Sequence, residues 1–232
     1  MIKQLGSLSV ATLLAAGSTT AIAGRPLATD DAGVIERGNC EVESFLARAT
    51  ERGSPSVHGA SLQLGCGIAG NTQVALAVTT ARGGGESERG MALNGKTALG
   101  EPANGNAWAV GWGLGALRPD GGSMKYESSF INGIYTRSID DALKLHANLG
   151  WSHSQSTRLS TTGWALALER STPASIDVMG EVFGNDRDSA PWVQVGLRWT
   201  VVPEKFFLDT SLGRQMNSQR PQQITLGLKA AF

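Results

Sequence analysis

The chain has 232 residues, of which 41% are hydrophobic, and its 20 basic residues balance its 20 acidic residues. A neutral chain lacks the basic surplus that neutralises nucleic-acid phosphates, and a content of 17% charged residues is too low for disorder. Two cysteines exclude a disulfide-dense scaffold and a four-thiolate zinc site. No run reaches the roughly 18 apolar residues of a membrane-spanning helix, so this chain with 30 glycines is expected to be mostly β-structure.

The first 23 residues have the pattern of a signal peptide. Lys3 gives a positive start, residues 5–17 are apolar, and Ala21-Ile22-Ala23 is the small-x-small pattern of a cleavage site. The alternative is a buried N-terminal helix. Cleavage would leave a mature exported chain beginning at Gly24, with a periplasmic peptide over 24–37 and a β-domain over 38–232.

The β-domain alternates between apolar and polar residues with a period of two. Over 222–232, every even-numbered residue from Ile224 to Phe232 is apolar, whereas the odd-numbered residues are polar or small. The stretches 143–152 and 192–201 show the same division. Because alternate side chains of a strand point to opposite faces, each segment has one apolar face.

These segments favour an antiparallel transmembrane β-barrel over a secreted soluble β-protein. They reach the roughly 9–11 residues that a tilted transmembrane strand needs, and aromatic residues such as Tyr126, Trp151, Trp164, Trp199 and Phe206 fit interfacial girdles. The chain ends on Phe232 directly after an alternating strand. A terminal Phe resembles the signal by which the barrel assembly machinery recognises its substrates. We therefore expect the bacterial outer membrane, lipid contact and both termini on the periplasmic side.

Twelve strands are predicted, an even number as in bacterial single-chain barrels. The count becomes uncertain if 88–106 is a loop. The predicted strands are 38–50, 57–68, 73–82, 88–99, 107–117, 123–138, 142–154, 161–171, 175–184, 191–202, 206–216 and 222–232.

The two cysteines are predicted to form a disulfide in the first hairpin. If the first two strands pair about Gly53, then Cys40 lies opposite Cys66, and opposed residues bring their Cβ atoms near disulfide range. The alternative is a pair of free thiols on the lipid face. No histidine lies at ligand spacing from either cysteine, so no metal and no cofactor are expected.

Alternation also predicts which polar side chains point into the lumen. Their signs are mixed, so they either form ion pairs that close the lumen or line a narrow path for small solutes. Ala109, Gly111, Gly113 and Gly115 leave one wall nearly bare, which provides a groove for a solute or room for the N-terminal peptide. The lumen candidates are Glu41, Glu43, Gln63, Lys96, Lys125, Glu127, Arg137, Lys144, His146, Glu169, Asp177, Glu181, Arg198, Asp209 and Lys229.

The N-terminal peptide carries a family resemblance. Residues 25–33 read Arg-Pro-Leu-Ala-Thr-Asp-Asp-Ala-Gly and are followed by Glu36-Arg37-Gly38 and a Glu-containing first strand. This run resembles the start of the outer-membrane family named for the meta-pathway of phenol degradation, over residues 25–43. The resemblance implies passage of small aromatic or other hydrophobic molecules. Asp30 and Asp31 either plug the lumen by pairing with inward Arg or Lys, or form a solvated periplasmic turn.

The sequence thus predicts a channel or transporter that passes small, hydrophobic or aromatic solutes by passive diffusion. The alternatives are a closed barrel with a structural or adhesive role and, less favoured, a secreted soluble β-protein. No catalytic residues and no enzyme activity are predicted. His153 and Ser154 are neighbours on one strand and point to opposite faces, so they do not form a nucleophile–base pair.

Overall fold

The computed structural model describes residues 27–232 and consists of twelve antiparallel strands. The predicted signal peptide, 1–23, lies outside the described residues, as do residues 24–26 of the predicted periplasmic peptide. Within residues 27–232, the structure contains no helix that is long and apolar enough to cross a membrane. The strands are β1 Cys40–Thr50, β2 Val57–Ala69, β3 Thr72–Gly83, β4 Glu86–Ala98, β5 Asn106–Pro119, β6 Lys125–Ser138, β7 Leu143–Ser154, β8 Leu159–Ser171, β9 Ile176–Asn185, β10 Trp192–Val202, β11 Phe206–Gln215 and β12 Gln222–Ala231.

Each strand pairs with its neighbours in sequence, and β1 pairs with β12, so the sheet closes into a barrel. The twelve-strand prediction is confirmed, and the region 88–106 contains strand β4 followed by a turn. We call the end that carries Cys40 and Phe232 the terminal end, and the opposite end the loop end. At the seam, the Phe232 N–H donates to the Cys40 carbonyl at 2.9 Å, and the Cys40 N–H donates to the Phe232 carbonyl at 2.8 Å.

The barrel is apolar outside and polar inside, the reverse of a soluble protein. Mid-strand outward side chains such as Leu46, Leu149 and Leu226 are more than half exposed, at 64%, 65% and 61%. Inward polar side chains such as Gln73 and Ser211 are only 2% and 3% exposed. An apolar outer band around a polar interior is the pattern of a transmembrane barrel.

Charged residues on the outer surface lie away from the middle of this band. Arg48, Arg89 and Arg214 share the outward parity near the loop end, and Arg137 and Arg170 share it near the terminal end. A long Arg side chain at a strand end can extend its charge towards the headgroups and water while its stem covers apolar surface. The outward aromatic residues Trp108, Tyr126 and Trp199 also lie near strand ends and are about half exposed, as expected of interfacial girdles.

The predicted disulfide is present. Cys40 is the register partner of Cys66, with their Cα atoms 4.1 Å apart, and the two residues form a disulfide at the terminal end of the first hairpin. The predicted register of this hairpin is also confirmed, since Val42 faces Leu64 and Glu43 faces Gln63.

Removing this disulfide with the double substitution Cys40→Ser/Cys66→Ser is expected to lower the free energy of unfolding by about 2 kcal/mol. This loss is at the low end of the usual range for removal of a native disulfide, because backbone pairing already holds β1 and β2 together along their whole length. Urea unfolding in phospholipid vesicles, with and without reductant, measures the loss. Reductant should destabilise the wild-type protein and leave the double variant unchanged; equal stability of both proteins without reductant would contradict the prediction.

Candidate functional site: the lumen and the N-terminal segment

Residues 27–37, the N-terminal segment, cross the lumen from one wall to the other. Leu27 packs against Ala167 on β8 and Met179 on β9, whereas Arg37 pairs with Gly67 on β2. Strands β2 and β8 lie on opposite sides of the closed barrel because six steps separate them in either direction. The N-terminal segment therefore spans the width of the barrel.

One end of the N-terminal segment is held by Glu181 of β9. The carboxylate of Glu181 accepts hydrogen bonds from the Ala28 N–H at 2.7 Å, the Thr29 N–H at 2.8 Å and the Thr29 hydroxyl at 2.6 Å. The Gln194 side-chain amide donates to the same carboxylate at 2.8 Å. Charge-assisted hydrogen bonds of this kind are stronger than neutral ones, so Glu181 anchors the N-terminal segment to the barrel wall.

The middle of the N-terminal segment is held by an ion pair and an amide clamp. The Lys96 ammonium lies 3.0 Å from the Asp30 carboxylate and 2.9 Å from the Asp31 carbonyl oxygen, and both side chains of the ion pair are at most 4% exposed. Asn148 accepts from the Asp30 N–H at 2.6 Å and donates to the Asp30 carbonyl at 2.9 Å. Asp30 thus pairs with an inward-pointing lysine inside the lumen, as the hypothesis of a plug predicts.

Small residues in the wall make room for the N-terminal segment. Ala32 packs against Ala109 and Ile134, so the nearly bare wall of β5 is covered at its terminal end by the N-terminal segment. Further along β5, a side chain on Gly113 would overlap the Phe130 ring and Asn94, so this part of the wall is filled from neighbouring strands. The Ala32 N–H also donates to the Thr136 hydroxyl at 2.9 Å, and the Ile35 N–H donates to the Gln73 amide oxygen at 2.6 Å.

The N-terminal segment packs directly against the backbone of β2 at Gly67. A Cβ atom at Gly67 would collide with the backbone carbonyl oxygens of Glu36 and Ile35. Gly67→Ala is therefore expected to weaken docking of the N-terminal segment by about 1–3 kcal/mol, the usual cost of overpacking. Trypsin cleavage after Arg37 should accelerate about tenfold, because every 1.4 kcal/mol is a tenfold change in population.

The matched control for this substitution is Gly70→Ala in the following turn, where a Cβ would meet nothing within 4 Å. Cleavage of the control should match the wild type. Unchanged cleavage in Gly67→Ala would show that the N-terminal segment does not dock against β2.

The other predicted lumen residues form separate polar clusters. Lys229 lies 2.5 Å from Glu41 and 3.6 Å from Glu43 near the terminal end. His146 and Lys144 lie 3.6 Å and 4.0 Å from Glu169, and Arg198 is the register partner of both Asp177 and Asp209. Gln63 accepts a hydrogen bond from Asn94. Mixed charges thus pair with one another across the inner wall.

The three predicted lumen residues of β6 lie near the two ends of that strand, and the β5–β6 pairing contains an irregularity next to Glu127. The irregularity reverses the alternation along β6, so Arg137 has the outward parity and donates to the Asn104 carbonyl at 2.7 Å. Glu127 accepts from the Ser154 and Ser156 hydroxyls at the loop end, where Lys125 is exposed. A bulge of this type leaves no clear mark in an alternating sequence.

Several side chains that hold the N-terminal segment were not among the residues predicted to line the lumen. Asn148, Thr136, Gln73 and Gln194 contact it or its Glu181 anchor, yet only charged residues and Gln63 were selected as candidates. The alternation gave the inward parity of Asn148 and Gln194, but it placed Thr136 on the outer face, because it placed Arg137 inward. The partner of these side chains could not be predicted, because the course of 27–37 across the lumen has no periodic pattern.

A cavity of about 80 Å³ lies beside the start of the N-terminal segment, in the loop half of the barrel. Inward aromatic side chains line it, including Phe130, Phe183 and Trp192, together with the amides of Asn132 and Asn148. The Phe183 and Trp192 rings are nearly parallel, at 7°, with centroids 6.1 Å apart. Ala28 of the N-terminal segment forms part of the cavity wall.

Asp188, in the loop between β9 and β10, also lines this cavity. Burial raises the pKa of the Asp188 carboxyl above its usual value, although the hydrogen bond from the Asn185 amide at 2.8 Å acts in the opposite direction. Within 27–232, no cluster of three or more His, Cys, Asp or Glu side chains is suited to hold a metal ion.

His153 contacts Ser160 rather than its sequence neighbour Ser154. The His153 Nδ1 atom lies 3.2 Å from the Ser160 hydroxyl oxygen across the β7–β8 pair. The Ser154 hydroxyl instead donates to Glu127 at 2.6 Å. The predicted separation of His153 and Ser154 agrees with these contacts.

The fold is that of bacterial outer-membrane barrels. The outer-membrane channel COG4313 from Pseudomonas putida F1 aligns over 87% of this chain and 98% of its own, with a TM-score of 0.61 and 10% identity. The KdgM porin aligns over 82% and 99%, with a TM-score of 0.59 and 10% identity. Outer membrane phospholipase A from Escherichia coli aligns over 89% and 92%, with a TM-score of 0.51 and 9% identity. The same fold therefore serves channels and an enzyme.

No curated protein matches the sequence. A family model, described as "Uncharacterised conserved protein UCP029691", matches residues 10–232. This match includes the N-terminal segment and all twelve strands. The chain therefore belongs to the UCP029691 family, and in this member the family sequence folds as a closed twelve-stranded barrel crossed by its own N-terminal segment.

Proposed function

We propose that this protein is an outer-membrane channel that passes small, hydrophobic or aromatic solutes by passive diffusion, and that the N-terminal segment gates it. The observation that carries the proposal is the course of residues 27–37 across the lumen, held at Glu181, Lys96 and Gly67. A purely structural barrel can fill its lumen with side chains from its own strands. A separate segment bound through hydrogen bonds can leave without unfolding the wall.

The aromatic lining of the loop-half cavity favours hydrophobic or aromatic solutes over sugars. Phe130, Phe183 and Trp192 point inwards there and present flat apolar faces to the cavity. The resemblance of residues 25–43 to the meta-pathway family of phenol degradation agrees with this solute class. Mixed lumen charges also disfavour a pore dedicated to acidic sugars, which would need a basic surplus.

Solute uptake tests the proposal. Outer-membrane vesicles with a lipopolysaccharide leaflet, prepared with and without the protein, are given 4-fluorophenol or glucose. We expect the protein to raise the initial uptake rate of 4-fluorophenol several-fold more than that of glucose. Equal uptake of 4-fluorophenol with and without the protein would refute the transport function.

A closed structural barrel is the second candidate, because paired charges already occupy much of the inner wall. Lys229 joins Glu41 and Glu43, and Glu169 lies near both Lys144 and His146. If this reading is right, vesicles containing the protein will take up neither solute faster than vesicles without it.

We further propose that the barrel assembly machinery recognises Phe232. The Phe232 side chain is 70% exposed, whereas its backbone is hydrogen-bonded to Cys40. Phe232→Ala removes the side chain that the machinery would recognise, so we expect much less protein in the outer membrane of cells. The substitution keeps the backbone pairing with Cys40, so refolding into vesicles in vitro should be unchanged. A loss of refolding in vitro would instead assign the side chain a structural role.

A further inference from the structure

The loop-half cavity and the N-terminal segment share two residues. Ala28 is part of the N-terminal segment and of the cavity wall, and Asn148 lines the cavity while both of its side-chain polar atoms bind Asp30. The Asn148 side-chain oxygen already accepts from the Asp30 N–H at 2.6 Å and from the Asn132 amide at 3.4 Å, which uses both of its lone pairs. A hydroxyl group that donates to this oxygen from the cavity therefore competes with the bond to Asp30. The cavity is also adjacent to the anchor, because Thr29 and Ala28 bind Glu181 directly.

The chemistry of the lining defines what the cavity can hold. A volume of about 80 Å³ has space for several water molecules, since each needs roughly 10–15 Å³ by this measure. A molecule with one aromatic ring also displaces several water molecules, so its size matches that of the cavity. The flat faces of Phe183 and Trp192 favour a planar aromatic ring, and the amides of Asn132 and Asn148 favour one hydrogen-bonding group on that ring. The carboxyl of Asp188 disfavours an anion.

We propose that this cavity binds one neutral, single-ring aromatic molecule with a polar substituent, and that the bound molecule competes with Asp30 for Asn148 and so promotes release of the N-terminal segment. The inference rests on the proposed function and names the site at which the solute opens its own path. By linkage, a variant that releases the N-terminal segment must strengthen ligand binding, by at most the factor by which the ligand weakens docking.

Binding of 4-fluorophenol to the purified full chain in detergent, followed by fluorine NMR, tests this inference. The wild type should show saturable binding. Gly163→Leu should abolish it, because Gly163 lines the cavity and an added Cβ there meets only the Gly184 carbonyl oxygen, at 3.7 Å. The matched control is Gly180→Leu, at an exposed position on β9 where a Cβ meets nothing within 4 Å. It should bind as the wild type does.

Gly67→Ala tests the coupling, because Gly67 does not line the cavity and contacts the far end of the N-terminal segment. We expect this variant to bind 4-fluorophenol about fivefold more tightly or better, the lower end of typical coupling between sites. Lys96→Met, which removes the Asp30 ion pair, should have the same effect.

Two results would overturn the inference. Binding that is equally weak or non-saturable in the wild type and in Gly163→Leu would mean that the cavity is not a site. Equal affinity in the wild type, Gly67→Ala and Lys96→Met would mean that ligand and N-terminal segment do not compete. Either result can occur while vesicles still take up 4-fluorophenol, in which case the proposed transport function stands and this inference fails.

Discussion

Lys96→Met is expected to release the N-terminal segment from the lumen. Lys96 and Asp30 form an ion pair 3.0 Å long, with side chains 4% and 1% exposed. Removing one partner of a buried pair leaves an uncompensated charge and costs about 3–5 kcal/mol. Because Asp30 lies on the N-terminal segment and not on a strand of the barrel wall, the barrel is expected to stay folded while the docking equilibrium shifts towards the undocked form.

Hydrogen exchange of the backbone amides in 27–37 measures this shift. The Thr29 N–H, bonded to Glu181, and the Ala32 N–H, bonded to Thr136, should exchange about 100-fold faster or more in Lys96→Met. The double variant Asp30→Asn/Lys96→Met leaves no buried charge at this site and should regain most of the lost protection. Protection in Lys96→Met equal to that of the wild type would show that the ion pair does not hold the N-terminal segment.

Leu226→Arg is expected to destabilise the barrel in lipid by about 2–4 kcal/mol, the cost of Arg at the bilayer midplane of a barrel. Leu226 lies in the middle of β12, is 61% exposed and has Leu46 and Thr210 as register partners. Nothing at this depth can solvate the guanidinium. Urea unfolding in phospholipid vesicles measures the loss.

The control for Leu226→Arg is Ile176→Arg. Ile176 is also outward and exposed, at 36%, but it is the first residue of β9 at the terminal end. There the cost of Arg falls to about 0–1 kcal/mol because the charge reaches the interface. Equal losses for the two substitutions would mean that the apolar band is not immersed in lipid in the way the barrel fold requires.

The alternation of residues predicted most of the fold, because closing a barrel in lipid forces apolar side chains outwards at every second position. The opposition of Cys40 and Cys66 followed from a single hairpin centre, since the register of a short hairpin is set by its turn. The alternation gave the wrong face for Arg137, which was predicted to point inwards and has the outward parity. An irregularity beside Glu127 exchanges the two faces of β6 between its ends. A bulge adds one residue and leaves both halves of the strand alternating, so the change of phase is easily missed.

The lumen site was only partly predictable. Asp30 and Lys96 were both named from the sequence, but their pairing depends on a non-periodic segment crossing from β8 to β2. The nearly bare wall at Ala109 indicated room for the N-terminal peptide, and Ala32 packs there. Asn148 was not selected, because uncharged polar residues are common on inner walls and only the course of the N-terminal segment distinguishes it. Thr136 was missed because the predicted alternation of β6 placed it on the outer face.

Single-channel conductance in a planar bilayer tests the central claim most directly. The chain that begins at Gly24 is compared with a shorter chain that lacks residues 24–37 and begins beside the Cys40–Cys66 disulfide. If the N-terminal segment closes a solute path, the full chain should show small or rare conductance steps and the shortened chain larger, stable ones. Silence in both would contradict the account and would mean that the interior charges close the barrel.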